Sequence, residues 1–292
     1  MRERILVVDD EETWCAIISS SLSSVGYECS VASNGVEALA VLNCGEEFAL
    51  LISNLMMAEM DGIALLERTR DRFPDMPFVM ETGVYDSSVI AIAYERGAYD
   101  YVLKPFTPEE LVAAVRRALE YRRLKLENRA YQARLAKHAV AAQGESRRER
   151  ILIVDDDEGT CVLFSSVLTS AGYQCRTSGG GIEALAILES GEEFDLLISG
   201  LAMPDGDGMF LLDRVRDRFP DMPFVMVIGT YDASAIAAAY RDGAYDYLLK
   251  RFDAVLLKAS VRRALQYRRL KIENHAYQIE LAKNAKAGLD GL

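Results

Sequence analysis

The sequence predicts two α/β domains of one type, each built on a parallel β-sheet that carries helices on both faces. The first observation is a repeat: at a constant offset and without a gap, Asp9 corresponds to Asp155 and Lys104 to Lys250. The second is that short apolar runs alternate with longer segments of helical periodicity, the pattern of βαβ units. A repeat of this length indicates two globular domains and not a solenoid.

Five apolar runs in the first copy are short enough to be strands, near residues 4–8, 28–32, 49–53, 77–81 and 99–103. Helices fill the intervals. The first, at about 13–25, stops before Gly26, a residue type common just beyond a helix end. The last begins at Thr107-Pro108, with a capping hydroxyl and a first-turn proline, and continues past the sheet. The predicted domains are residues 1–138 and 150–288, joined by a linker at 139–149.

The third strand ends at the residue on which the functional interpretation depends. Leu50-Leu51-Ile52 is an apolar run without polar alternation, which is typical of a strand buried on both faces. Asn54 follows at its carboxyl end, and Gly200 takes that place in the second copy. Ligands and chemistry gather at this edge of open parallel sheets, so we expect a functional site there.

The stretches ALLISNLMMAEMDG and DLLISGLAMPDGDG resemble the third strand and following loop of the receiver domain of two-component response regulators, whose usual form is DLVLLDLxMPxMDG. The resemblance covers nearly the whole chain. It implies two flavodoxin-like (βα)5 domains with five-stranded parallel sheets and extended last helices. It also places Asn54 and Gly200 where the family has the aspartate that accepts a phosphoryl group.

Other motifs carry further family positions into both copies. ILVVDDEE and ILIVDDDE supply the magnesium-binding pair, PFVMETG the switch hydroxyl, and YDYVLKPF and YDYLLKRF the conserved lysine. In the second copy Ile228 replaces the hydroxyl. By this resemblance the metal positions are Asp9, Asp10, Asp155 and Asp156, the switch position is Thr82, and the lysine positions are Lys104 and Lys250.

The missing aspartate removes the family's chemistry. A receiver needs a carboxylate nucleophile and a magnesium ion held by three acidic groups. Asn54 offers a neutral amide, and Gly200 has no side chain. We therefore expect no enzyme activity, no required cofactor and at most weak Mg²⁺ binding by the two remaining carboxylates. The second copy is predicted to be a pseudo-receiver.

The last helix of each copy carries a heptad pattern with asparagine at an a position, a device that sets register in two-stranded coiled coils. The pattern predicts a coiled coil that pairs the helices within one chain or in a homodimer, while packing of each helix on its own domain is the alternative. The predicted interaction seam comprises Tyr121, Leu124, Asn128, Tyr131 and Leu135, with Tyr267, Leu270, Asn274, Tyr277 and Leu281.

Composition narrows the functional classes. The formal net charge of −12 disfavours nonspecific binding to nucleic acid. No run approaches the roughly 20 apolar residues of a membrane span, and no signal peptide is evident, so we expect a cytoplasmic protein. The five cysteines, without CxxC spacing, argue against a disulfide framework.

These observations predict a phosphorylation-independent interaction or dimerisation module of two-component signalling, whose partner is a histidine kinase or another regulator. One alternative is an ordinary phosphoacceptor regulator whose first domain was inactivated by an Asp-to-Asn substitution at position 54. Another is a binder of nucleic acid or anionic lipid through the basic run RRALEYRRLK, which recurs as RRALQYRRLK.

Overall fold

The computed structural model describes residues 2–83, 87–135, 147–250 and 253–289, with only the backbone at 87, 134–135 and 283–289. The chain divides into two compact units, Met1–Arg123 and Leu124–Leu292. The predicted linker at 139–149 falls mostly outside the described residues, so the predicted domain limits at 138 and 150 stay predictions. No described helix is long and apolar enough to cross a membrane.

The first copy alternates strands with helices in the predicted order. Its elements are β1 Arg4–Val8, α1 Glu12–Ser24, β2 Glu28–Ala32, α2 Gly35–Asn43, β3 Leu50–Asn54, α3 Gly62–Arg70, β4 Phe78–Thr82, α4 Ser87–Arg96, β5 Asp100–Leu103 and α5 Pro108–Leu135. The strands are parallel, in the order β2-β1-β3-β4-β5.

The second copy repeats this arrangement. Its elements are β6 Arg150–Val154, α6 Glu158–Ser170, β7 Gln174–Ser178, α7 Gly181–Glu189, β8 Leu196–Gly200, α8 Gly208–Arg218, β9 Phe224–Ile228, α9 Ala233–Arg241, β10 Asp246–Leu249 and α10 Ala254–Leu289. The parallel order β7-β6-β8-β9-β10 matches the first sheet strand for strand. The predicted fold class, two (βα)5 domains with long last helices, is confirmed.

Alternation along the strands explains why both faces of the first sheet are covered. Ile5 and Val7 pack with residues of α1 and α5, whereas Leu6 and Val8 pack with residues of α2 and α3 on the other face. The central strands β3 and β4 are buried at every position. A parallel sheet buried in this way admits polar side chains mainly where its strands end.

One buried ion pair joins the last strand to the last helix in each copy. The Arg117 guanidinium donates to Asp100 at 2.7 Å, and Arg263 donates to Asp246 at 2.6 Å. All four side chains are at most 10% exposed. Because a buried charge needs its partner, these pairs hold each helix in one orientation against its own sheet.

Candidate functional site

The carboxyl-terminal edge of the first sheet gathers four of the predicted site residues. Asp9 follows β1, Asn54 ends β3, Thr82 ends β4 and Lys104 follows β5. Each of these side chains is almost completely buried. Asp10, beside them, is exposed. The structure thus forms the polar cluster that the sequence predicts at this edge, which we call the first pocket.

The side-chain amide of Asn54 is the hydrogen-bond donor at the centre of the first pocket. Its nitrogen donates to Asp9 at 3.3 Å, to Asp10 at 3.1 Å and to the main-chain carbonyl of Met56 at 2.9 Å. A carboxylate at this position could only accept hydrogen bonds. Asparagine therefore joins the two acidic side chains through neutral donor contacts, with no added negative charge.

Three groups surround the Lys104 ammonium. It donates to Asp9 at 2.5 Å, and a carboxyl oxygen of Glu81 lies 3.6 Å away. The ring of Trp14 lies 4.9 Å from the same nitrogen, a cation–π distance. Only 8% of the lysine side chain is exposed.

Glu81 is the residue of the first pocket that the sequence motifs did not single out. It is completely buried on the central strand β4, in register with Asn54, and neither of its carboxyl oxygens has a hydrogen-bond partner. Burial raises the pKa of the Glu81 carboxyl to about 8, against the opposing effect of the Lys104 ammonium. The sequence alone could have pointed to Glu81, because the second copy has Val227 at this position and an acidic residue is unusual inside a buried strand.

The equivalent second pocket has lost most of these groups. Asp155 accepts from Lys250 at 2.7 Å, but its other carboxyl oxygen is buried without a hydrogen-bond partner. A Cβ atom on Gly200 would lie 2.7 Å from that oxygen, so the Asp155 carboxylate occupies the space of the missing side chain. Asp156 is exposed, and Ile228 is buried at the end of β9.

Comparison with known families shows which family the two pockets belong to. The family model described as response regulator receiver domain matches residues 5–116 and again 151–262. The chain belongs to the response regulator receiver family. Both pockets are receiver-domain sites, and the chain is a tandem receiver protein.

Known relatives place the receivers in two-component signalling. A putative response regulator NtrX-like of Rickettsia felis is 36% identical over 125 residues, which is 42% of this chain and 26% of that protein. The DNA-binding transcriptional regulator NtrC of Salmonella typhimurium is 36% identical over 117 residues, 40% of this chain and 25% of that protein. The chain thus spans about a quarter of these relatives.

Solved receiver structures match single domains of the chain. The receiver domain of NtrX from Brucella abortus is 35% identical, covers 40% of this chain and 98% of its own, and superposes with a TM-score of 0.38. A signal receiver domain from Pseudomonas fluorescens is 34% identical, with 42% and 98% coverage and a TM-score of 0.40.

The residues of the first receiver do not fit a magnesium ion in this arrangement. The Asn54 nitrogen, a donor, lies between the carboxylates of Asp9 and Asp10 where a cation would need another oxygen ligand. Across the described ranges, no three histidine, cysteine or acidic side chains are grouped so that they could hold a metal ion.

Several of the predicted seam residues come together within the second unit, which includes the end of α5 from Leu124 onward. Buried Asn128 donates to Glu273 at 2.5 Å. Buried Asn274 donates to the Leu124 carbonyl at 3.0 Å and to Glu127 at 3.4 Å. Asn128 and Glu127 correspond in the repeat to Asn274 and Glu273, so the two helices contact each other reciprocally.

The remaining seam positions divide into two groups. The rings of Tyr131 and Tyr277 lie 6.0 Å apart, and Leu270 and Leu281 are half-buried. The side chain of Leu135 is outside those described. Tyr121 stacks on Tyr99 at 4.7 Å and Tyr267 lies 5.1 Å from Tyr245, so these two tyrosines pack on their own receivers.

Proposed function

We propose that this tandem receiver protein is a phosphorylation-independent interaction module of two-component signalling and is not itself an enzyme. The observation that carries the proposal is the position of Asn54, whose amide donates to both Asp9 and Asp10. The first pocket therefore provides hydrogen-bond donors to Asp9 and Asp10 without a phosphoryl group or a cation.

The chemistry at the two acceptor-equivalent positions supports this. An amide oxygen is neutral and a far poorer nucleophile than a carboxylate, so Asn54 does not replace the family's acceptor. Gly200 provides no nucleophile, and Asp155 fills the space beside it. No cofactor is required for the function we propose, and Mg²⁺ binding is at most weak.

Protein contacts are then the means by which the chain transmits information. The reciprocal contacts of Asn128 and Asn274 support pairing of α5 with α10 in one chain. The same helix faces could instead pair between two chains as a homodimer. We propose a histidine kinase or another regulator in the cytoplasm as the partner. Nucleic acid and membrane are not proposed as partners, because the net charge is −12.

The alternative of a phosphoacceptor regulator inactivated at position 54 has one observation in its favour. Asp9, Thr82 and Lys104 are all retained at the edge of the first sheet. Buried Glu81 argues against it, because a receiver altered only at position 54 would not need an acid inside β4.

Acyl phosphate formation tests the proposal directly. The intact protein is incubated with magnesium chloride and acetyl phosphate, and its mass is measured. We expect no phosphoryl adduct in either receiver. An adduct mapped to a carboxyl group of either pocket would contradict the proposal.

A crosslink tests the interaction element. The double variant Tyr131→Cys/Tyr277→Cys is oxidised in a background without the five native cysteines. We expect a disulfide within one chain, since the two rings lie 6.0 Å apart. The pair Ala130→Cys/Ala276→Cys, at exposed positions of the same helices, is the matched control. A crosslink found only between chains would favour the homodimer, and none in either form would contradict the pairing.

A further inference from the structure

Two lysines at equivalent positions of the repeat differ in their access to solvent. Lys104 and Lys250 each follow the last strand of their sheet and each donate to the acidic residue after the first strand. Their side chains are nevertheless 8% and 29% exposed. The shared ion pair cannot explain this difference, so its cause lies in other neighbours.

Two substitutions separate the surroundings of these lysines. Glu81 is 3.6 Å from the Lys104 ammonium, and the corresponding residue of the second receiver is Val227. The centre of the Trp14 ring lies 4.9 Å from the same ammonium nitrogen. The corresponding residue of the second receiver is Thr160, whose hydroxyl donates to Asp157. Lys104 is therefore enclosed by an acid and a ring that the second receiver lacks.

We propose that Glu81 is a positioning residue that holds the Lys104 ammonium inside the first pocket, and that it prevents phosphoryl acceptance independently of Asn54. The proposal deepens the function proposed above, and its part concerning phosphoryl transfer rests on that function. It predicts that the first receiver is blocked at two positions.

The physical basis is competition for one cation. A phosphoryl group carries a charge of about −1.5 to −2, and by the family resemblance the conserved lysine is the group that meets it. Lys104 already has Asp9, Glu81 and the Trp14 ring around it in a site shielded from water. Moving the lysine breaks its buried ion pair with Asp9 and leaves an uncompensated charge behind. The lysine therefore remains beside Asp9, where Glu81 and the Trp14 ring enclose it.

It follows that Asn54→Asp alone does not restore a working receiver. In that variant a carboxylate oxygen would attack the phosphorus of acetyl phosphate and form a new O–P bond. The bond between phosphorus and the acetyl oxygen breaks, and acetate leaves with its electron pair. The nucleophile is supplied, but Lys104 is not free to meet the charge. Adding Glu81→Val reproduces the valine of the second receiver and removes the competing carboxyl.

Lysine reactivity in the intact protein tests the positioning without any phosphoryl donor. Limited amine acylation followed by peptide mass spectrometry compares Lys104 with Lys250 as an internal standard. We expect Lys104 to react about three- to fourfold more slowly, in proportion to the exposed fractions of 8% and 29%. In Glu81→Val the Lys104 rate rises toward that of Lys250 while the Trp14 ring stays in place, and the isosteric Glu81→Gln changes the rate in the same direction.

Hydrogen exchange of β1, β3 and β4 is the control for a merely structural effect. A rise in Lys104 reactivity with unchanged exchange supports a positioning role, whereas a rise that only accompanies faster exchange contradicts it. Equal rates in the wild-type protein, or unchanged rates in both variants, would also overturn the proposal.

Phosphorylation then tests the second block. Asn54→Asp and Asn54→Asp/Glu81→Val are incubated with magnesium chloride and acetyl phosphate and compared by intact mass. We expect the adduct only in the double variant. Equal adducts in both, or an adduct in neither, would overturn the independent role of Glu81. An adduct on the wild-type protein would instead refute the proposed function, while the lysine rates would still report on Glu81.

Discussion

The two pockets lack an acidic residue at the same strand end, and different side chains fill the space there. In the first pocket, the Asn54 amide donates to the carboxylates of Asp9 and Asp10, and buried Glu81 adds a further carboxyl group. In the second, Gly200 leaves a space that Asp155 enters. One backbone thus carries two different side-chain arrangements at the same strand end.

The contrast is sharpest at the acidic residue after the first strand. Both carboxyl oxygens of Asp9 are bonded, one by Asn54 and the Glu11 amide and the other by Lys104. In Asp155 one oxygen is buried without a hydrogen-bond partner. The difference is that Lys250 donates to the same Asp155 oxygen as the Asp157 amide, so the other oxygen receives no donor. A buried acceptor without a partner destabilises the folded state.

The largest expected effect concerns Glu81 and pH. Its pKa of about 8 lies above the ordinary value of 4.5, so the folded protein binds this proton more tightly than the unfolded chain. The resulting stability is complete below the unfolded value and is lost as the pH rises through about 8. We expect Glu81→Val to remove this loss, raising the free energy of unfolding of the first receiver by about 3 to 5 kcal/mol at high pH.

Denaturant titrations at about pH 5 and about pH 8.5 measure this effect, because linkage predicts a difference only at the higher pH. Trp14, the one tryptophan of the chain, reports on the first receiver. The second receiver, which already has Val227, is the internal control and is followed by hydrogen exchange. The same gain at both pH values would contradict a titrating carboxyl.

The next effect separates the donor on Asn54 from its size. Asn54→Asp removes the donor and places a third carboxylate about 3 Å from Asp9 and Asp10. We expect it to lower the free energy of unfolding by about 2 to 3 kcal/mol in the presence of a chelator. Asn54→Ala, the control without added charge, should lower it by about 1 to 2 kcal/mol. Trp14 fluorescence checks both, and a larger loss in the alanine variant would refute the argument.

The smallest effect comes from moving the donor to the second pocket. Gly200→Asn introduces a Cβ atom close to the Asp155 carboxylate, which must shift, but its amide can donate to the oxygen that now lacks a partner. We expect it to be more stable than Gly200→Ala by about 1 kcal/mol. Hydrogen exchange of β6 and β8 measures the difference, and equal stability would show that the Asp155 carboxylate does not accept the new bond.

The fold could be predicted from the sequence because the pattern of apolar residues specifies where most strands and helices lie. Apolar runs located each strand of the first copy to within a residue, and the repeat transferred them to the second. Asn54 and Lys104 were placed correctly because strand ends in a parallel sheet must meet at one edge.

Other features depend on tertiary contacts that spacing does not encode. Glu81 lies inside an otherwise apolar run, and only its depth in β4 shows that it faces Lys104. Heptad spacing includes Tyr121 and Tyr267, yet each packs against a tyrosine of its own receiver. A periodic pattern identifies the face of a helix that is covered, and it does not identify what covers it.

The buried pair of Arg117 and Asp100 has a mechanical consequence. Asp100 opens the short strand β5 that leads to Lys104, and Arg117 lies on the helix α5, which is about 42 Å long. Because the pair ties this part of α5 to the strand that precedes Lys104, a displacement of the helix at Arg117 would reach the lysine through β5.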